Sequence, residues 1–289
     1  MQKKRSQAAI EYLTTYGWAI MILAVAALVL FSLGLFDPYT YAPKAQPGAC
    51  YVIRPQAVID TGAYLSGTCT NEIPQYVTRF GVANSSVSAR LPTSAVASTS
   101  ISAWFLSASS TQGQTVVLLG SNGGNNGYGI YLGGGCVGGT LTILESAVRW
   151  ICTGVTYTTN TWYNIALVSM PSSGNVVYNL YLNGNAVYTS PPESLPITPV
   201  SPMLIGNDNA NRNFNGSISN VQIYNTSLST NDIIALYDEG IGGEPINIQN
   251  LVGWWPLNGN ANDYSGNNNT GIPNNVIYDS KWYSGYARP

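Results

Sequence analysis

The distribution of apolar residues divides the chain into a short N-terminal part and a long remainder. From Gly17 to Phe36 the sequence runs for 20 residues without a charge. A helix rises ~1.5 Å per residue, so a stretch of this length matches the ~30 Å hydrocarbon core of a bilayer. We therefore expect residues 7–36 to form a transmembrane or assembly helix.

The segment that follows is rich in proline. Pro38, Pro43 and Pro47 recur between Asp37 and Gly48. Proline ends helices and favours extended, semi-rigid connectors. Residues 37–48 are therefore predicted to form a stalk between the helix and the rest of the chain.

Beyond the stalk, apolar positions recur with a period of two, which is typical of half-buried β-strands. Runs rich in Val, Ile, Tyr and Thr predict strands at Tyr76–Phe80, Ser100–Leu106, Val116–Leu119, Tyr128–Leu132, Leu141–Leu144 and Trp162–Met170. Asn183-Gly184 predicts a tight hairpin, because both central turn positions need positive φ. Many short strands with Gly and Asn turns indicate an all-β sandwich over residues 49–289.

One helix interrupts this strand pattern. Ser229 and Asp232 offer N-cap oxygens, and Gly240 can end the helix. The apolar stripe between them consists of Ile233, Ile234, Leu236 and Tyr237.

The N-terminal stretch fits an ordinary secretory signal poorly, because such signals have an apolar core of only about 7–15 residues and a small-residue cleavage site. A plain membrane anchor is sufficient to explain it. In that case the cluster Lys3-Lys4-Arg5 stays in the cytoplasm by the positive-inside rule.

The same stretch also resembles the class III signal peptides of archaeal type IV pilin-like proteins. The matching residues are Gln7, Ala9 where the family has serine, and Glu11, while Ser6 stands where glycine is usual. The resemblance implies that a prepilin peptidase removes leader residues 1–6 by cutting between Ser6 and Gln7. It also implies that Glu11 pairs with the new α-amino group of Gln7 on a neighbouring pilin subunit. The alternative is that Glu11 lies at the level of the lipid headgroups, where a carboxylate is tolerated.

Charged residues make up only 8% of the chain, far below the ~25% of typical soluble domains. Without Lys3, Lys4 and Arg5, 11 − 3 = 8 basic side chains face 13 acidic ones. A side-chain charge near −5 with no later basic cluster lacks the electrostatic footprint of a nucleic-acid-binding protein.

The chain contains no histidine, which excludes Ser-His-Asp and Cys-His catalysis and imidazole ligands for zinc. A pair of carboxylates, as in glycoside hydrolases, is the main catalytic route left open. The acidic residues beyond the stalk are scattered: Asp60, Glu72, Glu145, Glu193, Asp208, Asp232, Asp238, Glu239, Glu244, Asp263 and Asp279. We therefore expect a protein that is not an enzyme, with an anchored carbohydrate-active enzyme as the minority alternative.

Four cysteines, Cys50, Cys69, Cys136 and Cys152, all follow the apolar stretch. An even number on an exported chain indicates two disulfides in an oxidising compartment. Three connectivities exist, and we favour Cys50 with Cys69 and Cys136 with Cys152 because each pair closes a short local loop. Zinc is the alternative, but no Cys-x-x-Cys spacing supports it.

A second resemblance covers Phe80 to Tyr237. The runs Ser100-Ile101-Ser102-Ala103-Trp104-Phe105, Trp162-Tyr163-Asn164-Ile165-Ala166-Leu167-Val168, Leu180-Tyr181-Leu182-Asn183-Gly184 and Phe214 to Tyr224 resemble a laminin-G-like, concanavalin A-like jelly roll. The order of one piece departs from that family. The stretch Leu251–Leu257 resembles the strand that opens such a domain, yet here it comes after the closing strand. Either the jelly roll is circularly permuted, or this strand is exchanged with a neighbouring subunit, as in domain swapping.

Uncharged surfaces rich in Asn, Tyr and Trp suit sugars, because aromatic faces stack on sugar rings while amides satisfy hydroxyls. The alternative is that Trp104, Trp150, Trp162, Trp254 and Trp255 are mostly core residues. Two loops could offer oxygen ligands to Ca²⁺, through Asn207 with Asp208 and through Asn262 with Asp263. The alternative is that these are turn residues, favoured for their backbone conformation.

Asn-x-Ser/Thr sequons are candidate glycan acceptors on an exported protein. They occur at Asn84, Asn215, Asn225 and Asn268. Together these patterns predict a membrane-anchored, extracellular-facing pilin-like protein of the cell surface or pilus, with a lectin-like head that acts in adhesion or glycan recognition. A surface receptor or envelope protein that does not polymerise is the alternative.

Overall fold

The computed structural model describes residues 2–33, 38–55, 62–69, 73–91, 98–120, 127–145, 149–194, 202–208 and 210–289. At residues 2–13, 15, 38 and 40 it describes the backbone alone. The chain forms two compact units, Met1–Pro43 and Lys44–Pro289.

The first unit consists of α1 (Gln2–Ser32) and α2 (Pro38–Tyr41). The predicted N-terminal helix is present, but it begins at Gln2 and ends at Ser32 instead of covering 7–36. Among the described residues, no helix has the length and apolarity that a membrane span requires, so the predicted transmembrane span is unsupported.

Three of the predicted leader and assembly residues lie on α1. The helical backbone is continuous from Gln2 through Ser6, Gln7 and Glu11. Their side chains lie outside the described residues, and leader cleavage and the pairing of Glu11 therefore stay predictions.

Part of the predicted stalk has a different structure from the extended one expected. Pro38–Tyr41 forms one helical turn, α2. Proline is compatible with the first position of a helix, because the N–H that it lacks has no intrahelical partner there. Lys44 and Ala45 already belong to the second unit, where they pair in parallel with Ile73 and Pro74.

The second unit is a β-sandwich. Its strands, in chain order, are β1 (Lys44–Ala45), β2 (Cys50–Ile53), β3 (Tyr64–Gly67), β4 (Ile73–Pro74), β5 (Val77–Phe80), β6 (Ser86–Ala89), β7 (Thr99–Ser107), β8 (Gln114–Leu119), β9 (Tyr128–Leu132), β10 (Thr140–Glu145), β11 (Arg149–Thr156), β12 (Trp162–Ser172), β13 (Asn175–Leu182), β14 (Asn185–Thr189), β15 (Glu193–Ser194), β16 (Met203–Ile205), β17 (Gly216–Tyr224), β18 (Leu251–Trp255), β19 (Ile272–Asn274) and β20 (Ile277–Asp279). The helix α3 (Thr230–Asp238) and a 3₁₀ turn at Ile248–Asn250 lie between β17 and β18. Each of the six strands predicted above is present, with ends shifted by at most two residues.

Two antiparallel sheets make up the sandwich. The seven-stranded sheet has the order β11-β10-β9-β8-β16-β6-β19. The nine-stranded sheet has the order β14-β13-β12-β7-β17-β5-β20, with β15 paired to β13 and β18 paired to β17. Two small sheets, β1-β4 and β2-β3, complete the unit.

The central part of the nine-stranded sheet, around β12, is buried on both faces. Along β12, Ile165 and Leu167 face the core between the sheets, whereas Ala166 and Val168 belong to a second apolar cluster on the other face. That second cluster includes Ile233 and Leu236 of α3. Burial on both faces explains why this strand reads as a continuous apolar run instead of an alternating one.

The predicted turn and capping signals are confirmed. Asn183 and Gly184, between β13 and β14, have φ of 49° and 74°. Ser229 caps α3 in a capping box with Asp232, and Gly240 follows the helix with φ of 79°.

The late strand β18 lies in the sheet of its own chain. One edge of β17 pairs with β7, and the other edge is shared by β5 at Gly216–Ile218 and by β18 at Val221–Tyr224. Trp254 and Trp255 are buried. The pairing within one chain agrees with a permuted strand order, and strand exchange between subunits stays the alternative.

Candidate functional site

An open cleft with a volume of about 280 Å³ lies on the outer face of the nine-stranded sheet. We call it the tryptophan cleft. Its lining consists of Arg79, Leu106, Ala108, Asn160, Trp162, Gly216, Ser217, Asp279, Lys281, Trp282 and Ser284. Successive side chains of a strand point to opposite faces, and the strand neighbours Phe80, Phe105 and Ile218 are in the core. The cleft therefore lies on the side of the sheet that faces away from the core.

The strand register places four of these residues in one row across the sheet. Trp162 of β12 is opposite Leu106 of β7, Leu106 is opposite Ser217 of β17, and Ser217 is opposite Arg79 of β5. Neighbouring strands lie about 4.8 Å apart, so this row gives the cleft a rigid base.

Two tryptophans provide the apolar part of that base. The ring centroids of Trp162 and Trp282 are 5.9 Å apart, with an edge-to-face angle of 84°. The indole N–H of Trp162 donates to the carbonyl of Trp282 at 3.3 Å, and that of Trp282 donates to the carbonyl of Pro74 at 3.1 Å. Both side chains are buried, with 5% of Trp162 and 4% of Trp282 exposed, and their indole N–H groups have partners, so only a small part of each ring is open to the cleft.

Polar groups surround this apolar base. Asn160 is exposed and has φ of 57°, and its backbone N–H donates to the carbonyl of Ser107 at 2.8 Å. The hydroxyls of Ser217 and Ser284 add donors and acceptors. The cleft thus combines an apolar base with an amide and two hydroxyls.

The cleft also gathers charge in a chain that has little of it. Arg79 and Lys281 are exposed, and the ion pairs found among the described residues involve neither of them. Asp279 accepts the backbone N–H of Lys281 at 2.8 Å. The lining therefore carries two cations and one carboxylate.

A second, much smaller cleft, with a volume of about 40 Å³, lies beside the Cys50–Cys69 disulfide. Trp254, Asn258 and Glu244 contribute to its wall. Burial, and to a smaller degree the nearby charge of Glu239, raise the pKa of the Glu244 carboxyl above its ordinary value. The carboxylate of Glu244 and the two sulfurs form the one close group of three potential metal ligands within the described part of the chain. Both sulfurs are already used in the disulfide, so this group does not form a thiolate site.

The predicted calcium ligands lie in two loops and have protein partners. Asp208 accepts from the guanidinium of Arg212 at 2.8 Å and from the hydroxyl of Tyr131 at 3.3 Å. Asn207 is buried and Asn262 is exposed. Asp208 accepts the backbone N–H groups of Ala210 and Arg212, and Asp263 accepts those of Trp254, Ser265 and Asn269. Both carboxylates therefore act as turn residues, as the alternative predicts. Calcium binding by these loops stays a prediction.

Both disulfides are present in the favoured pairing. Cys50–Cys69 joins the paired strands β2 and β3, with a Cα–Cα distance of 4.8 Å, near the ends of those strands. Cys136–Cys152 ties the turn after β9 to β11, with a Cα–Cα distance of 5.7 Å. The four sequon asparagines are all exposed, as glycan acceptors must be: Asn84, Asn215, Asn225 and Asn268.

The fold brings together two carboxylates that are far apart in the sequence. Arg149 forms ion pairs with Glu145 of the seven-stranded sheet, at 3.4 Å, and with Glu193 of the nine-stranded sheet. Both carboxylates are buried, and burial is the main cause of the raised pKa of Glu145. Neither Glu145 nor Glu193 lines either cleft. Because Arg149 pairs with one carboxylate from each sheet, these ion pairs link the two sheets.

Two antiparallel sheets packed face to face define a β-sandwich. The sequence profile of the concanavalin A-like lectin/glucanases superfamily matches residues 81–234, which is just over half of the chain. The chain therefore belongs to this superfamily, and the resemblance noted over Phe80–Tyr237 is confirmed.

Solved structures share this fold. A candidate carbohydrate-binding protein from Bacteroides ovatus is 16% identical, with a TM-score of 0.57 over 80% of this chain and 69% of that one. A heptameric SAP-like pentraxin from Limulus polyphemus is 15% identical, with a TM-score of 0.50 over 71% of this chain and 94% of that one. At such identities the likeness shows the fold alone. No curated protein sequence matches the chain.

Proposed function

We propose that this chain is a pilin-like surface protein whose β-sandwich head binds saccharides in the tryptophan cleft without cleaving them. Its role is adhesion or glycan recognition outside the cell. The observation that carries the proposal is the composition of the cleft on a lectin-type fold: an apolar base of Trp162 and Trp282 beside the amide of Asn160 and the hydroxyls of Ser217 and Ser284.

This composition suits a sugar for two reasons. The C–H face of a sugar ring is apolar and packs against aromatic carbon, whereas its hydroxyls need donors and acceptors such as amides and hydroxyl groups. The Trp162–Leu106–Ser217–Arg79 row is fixed by strand pairing, so the cleft is preformed. A preformed site binds without the cost of ordering its side chains and loops.

The proposal that the head binds without hydrolysis rests on the count of carboxylates. Glycoside hydrolases use two carboxyl groups that flank the scissile bond. The lining of the tryptophan cleft contains a single one, Asp279, and that of the second cleft contains a single one, Glu244. Incubation with a panel of polysaccharides should therefore release no shorter sugars, and release would contradict this part of the proposal.

The pilin-like part of the proposal rests on the surface of α1. Ile20, Met21, Ile22 and Leu23 are consecutive and all exposed. Consecutive helical residues lie about 100° apart, so these four cover the whole circumference. A helix that is apolar all round needs apolar surroundings. We infer that copies of α1 provide them for one another in a filament, and the two disulfides suit the oxidising exterior where that filament would stand.

Saccharide binding is tested with the full-length chain on a glycan array. We expect binding to a subset of oligosaccharides and, for Asn160→Gly, about fivefold weaker binding because one amide contact is lost. Glycine tolerates the positive φ at this position. The matched control is Asn211→Gly, at an exposed asparagine with φ of 64° outside the cleft, which should bind like the original chain. No binding to any glycan would contradict the proposal.

Assembly is tested on native protein. Electron microscopy of sheared surface filaments should show this chain in them, by immunogold labelling of the head. N-terminal sequencing of the same material should begin at Gln7. A native protein that keeps residues 1–6 and occurs only as single chains would contradict the pilin-like part and leave saccharide binding unaffected.

A further inference from the structure

The basic side chains of the second unit are few, and most of them have partners within the fold. Arg149 and Arg212 form ion pairs. Arg54 donates to three backbone carbonyls, and Lys44 donates to the hydroxyl of Tyr283 and lies over its ring. Arg79 and Lys281 stand out from this pattern, because both are exposed and both line the tryptophan cleft.

The position of Arg79 is fixed by its strand. Its backbone pairs with Ser217 of β17 on one side and with Ile277 of β20 on the other. Arg79 therefore lies on a strand that has neighbours on both sides, opposite Ser217 in the register. A guanidinium presents a planar fork of donors that matches the two oxygens of a carboxylate, and such charge-assisted bonds are roughly twice as strong as neutral ones.

Lys281 adds a second positive charge from the segment after β20. The nearby Asp279 is the one acidic residue of the lining, and it accepts the backbone N–H of Lys281 at 2.8 Å. This bond directs the carboxylate towards its own turn. The lining as a whole has an excess of one positive charge, whereas residues 44–289 together carry 8 basic and 11 acidic side chains.

We propose that the tryptophan cleft selects saccharides that carry a carboxylate, such as uronic acids, over their neutral counterparts. Arg79 and Lys281 bind the carboxylate, and the apolar base, formed by Leu106, Ala108 and the accessible parts of Trp162 and Trp282, contacts the ring. This inference rests on the proposed saccharide binding at the same site and names the class of sugar that binds there.

The first test compares matched sugars on one array, with the full-length chain in mild detergent that shields α1. The array holds neutral oligosaccharides, their uronic-acid counterparts and their sulfated counterparts. We expect the uronic-acid members to bind at least about tenfold more tightly than the neutral ones, as for a charge-assisted contact.

Equal binding of neutral and acidic members would overturn this inference while leaving saccharide binding intact. Binding of no member would overturn both. Tighter binding of the sulfated members than of the carboxylated ones would mean that Arg79 and Lys281 recognise sulfate, and it would overturn the proposal that the cleft selects a carboxylate.

The second test uses charge variants on the best uronic-acid ligand, measured by titration calorimetry. Arg79→Gln and Lys281→Gln should each weaken binding about tenfold, because each removes a charge-assisted contact. Asp279→Asn keeps the acceptor for the Lys281 N–H but removes the repelling charge, so it should tighten binding. Arg90→Gln is the matched control, since Arg90 is exposed and outside the cleft. The unfolding midpoint of each variant is measured as well, and a midpoint equal to that of the original chain excludes misfolding as the cause of weaker binding. Unchanged affinity in the Arg79 and Lys281 variants would overturn the proposal.

Discussion

The carboxylate of Glu244 is partly buried in the wall of the second cleft. Burial, together with the charge of Glu239, raises the pKa of Glu244 above its ordinary value of 4.5 in the folded chain. The folded state therefore holds this proton more tightly than the unfolded state does. As pH rises through the interval between the ordinary and the raised pKa, the folded state loses stability relative to the unfolded one, and at neutral pH the whole penalty is present.

Replacing Glu244 by glutamine should remove this penalty. We expect Glu244→Gln to raise the urea midpoint at neutral pH and to leave it unchanged at about pH 3.5, where the carboxyl is protonated in both states. The midpoint measured at about pH 3.5 is the internal control, because any effect of replacing the carboxyl by an amide that does not depend on charge is present there too. A midpoint that falls at neutral pH, or that shifts equally at both pH values, would contradict this account of Glu244.

Individual residues of the site were the hardest to predict from the sequence. The order Val77-Thr78-Arg79-Phe80 shows that Arg79 faces away from the core, but nothing local shows that Lys281 and Asn160 share its cleft. Likewise the acidic residues look scattered, and only the folded sheets bring Glu145 and Glu193 to Arg149. Such contacts depend on which strands pair, which the period of a single strand does not contain.

Among the elements, the turn between β9 and β10 has a structural role of its own. The disulfide Cys136–Cys152 ties this turn to β11, and the turn packs on Trp150 of that strand. A Cβ at Gly135 would overlap the Trp150 ring, and Gly135 has φ of 61°. Arg212 lies over the same ring at 5.1 Å. The close contact explains why glycine is needed here.

Gly135→Ala should therefore destabilise the chain through both backbone strain and overlap. Gly154→Ala is the matched control, because Gly154 has φ of 72° but open space around a Cβ. We expect Gly154→Ala to cost about 1–2 kcal/mol from the positive φ alone. Gly135→Ala should cost about 1–3 kcal/mol more, from overpacking. Urea denaturation measures both, and equal losses would contradict the proposed contact with Trp150.

Elements with strong local signals were predictable from the sequence. The Asn183-Gly184 hairpin and the capping box of α3 depend on neighbouring residues, and both are found as expected. The stalk was predicted less well, because prolines at this spacing permit one helical turn at Pro38–Tyr41 as well as an extended chain. The sequence leaves two arrangements open for β18, because its pairing with β17 depends on the tertiary fold.

At the scale of the whole molecule, the two units supply different surfaces. The first unit has a helix whose apolar side chains are exposed on every side, and the second has a β-sandwich with a preformed polar and aromatic cleft. Our proposal assigns assembly to the first and saccharide recognition to the second. Because the two surfaces share no residues, loss of one activity should leave the other measurable.

Hydrogen–deuterium exchange of the full-length chain, with and without the best ligand from the array, locates the site directly. Backbone amides slow their exchange where a ligand suppresses local opening. We predict slower exchange in peptides that cover residues 77–80, 105–108, 160–163 and 279–284, and no change at 45–50 and 241–258 around the second cleft. Slower exchange confined to the second cleft, or none in the presence of saturating ligand, would contradict the assignment of saccharide binding to the tryptophan cleft.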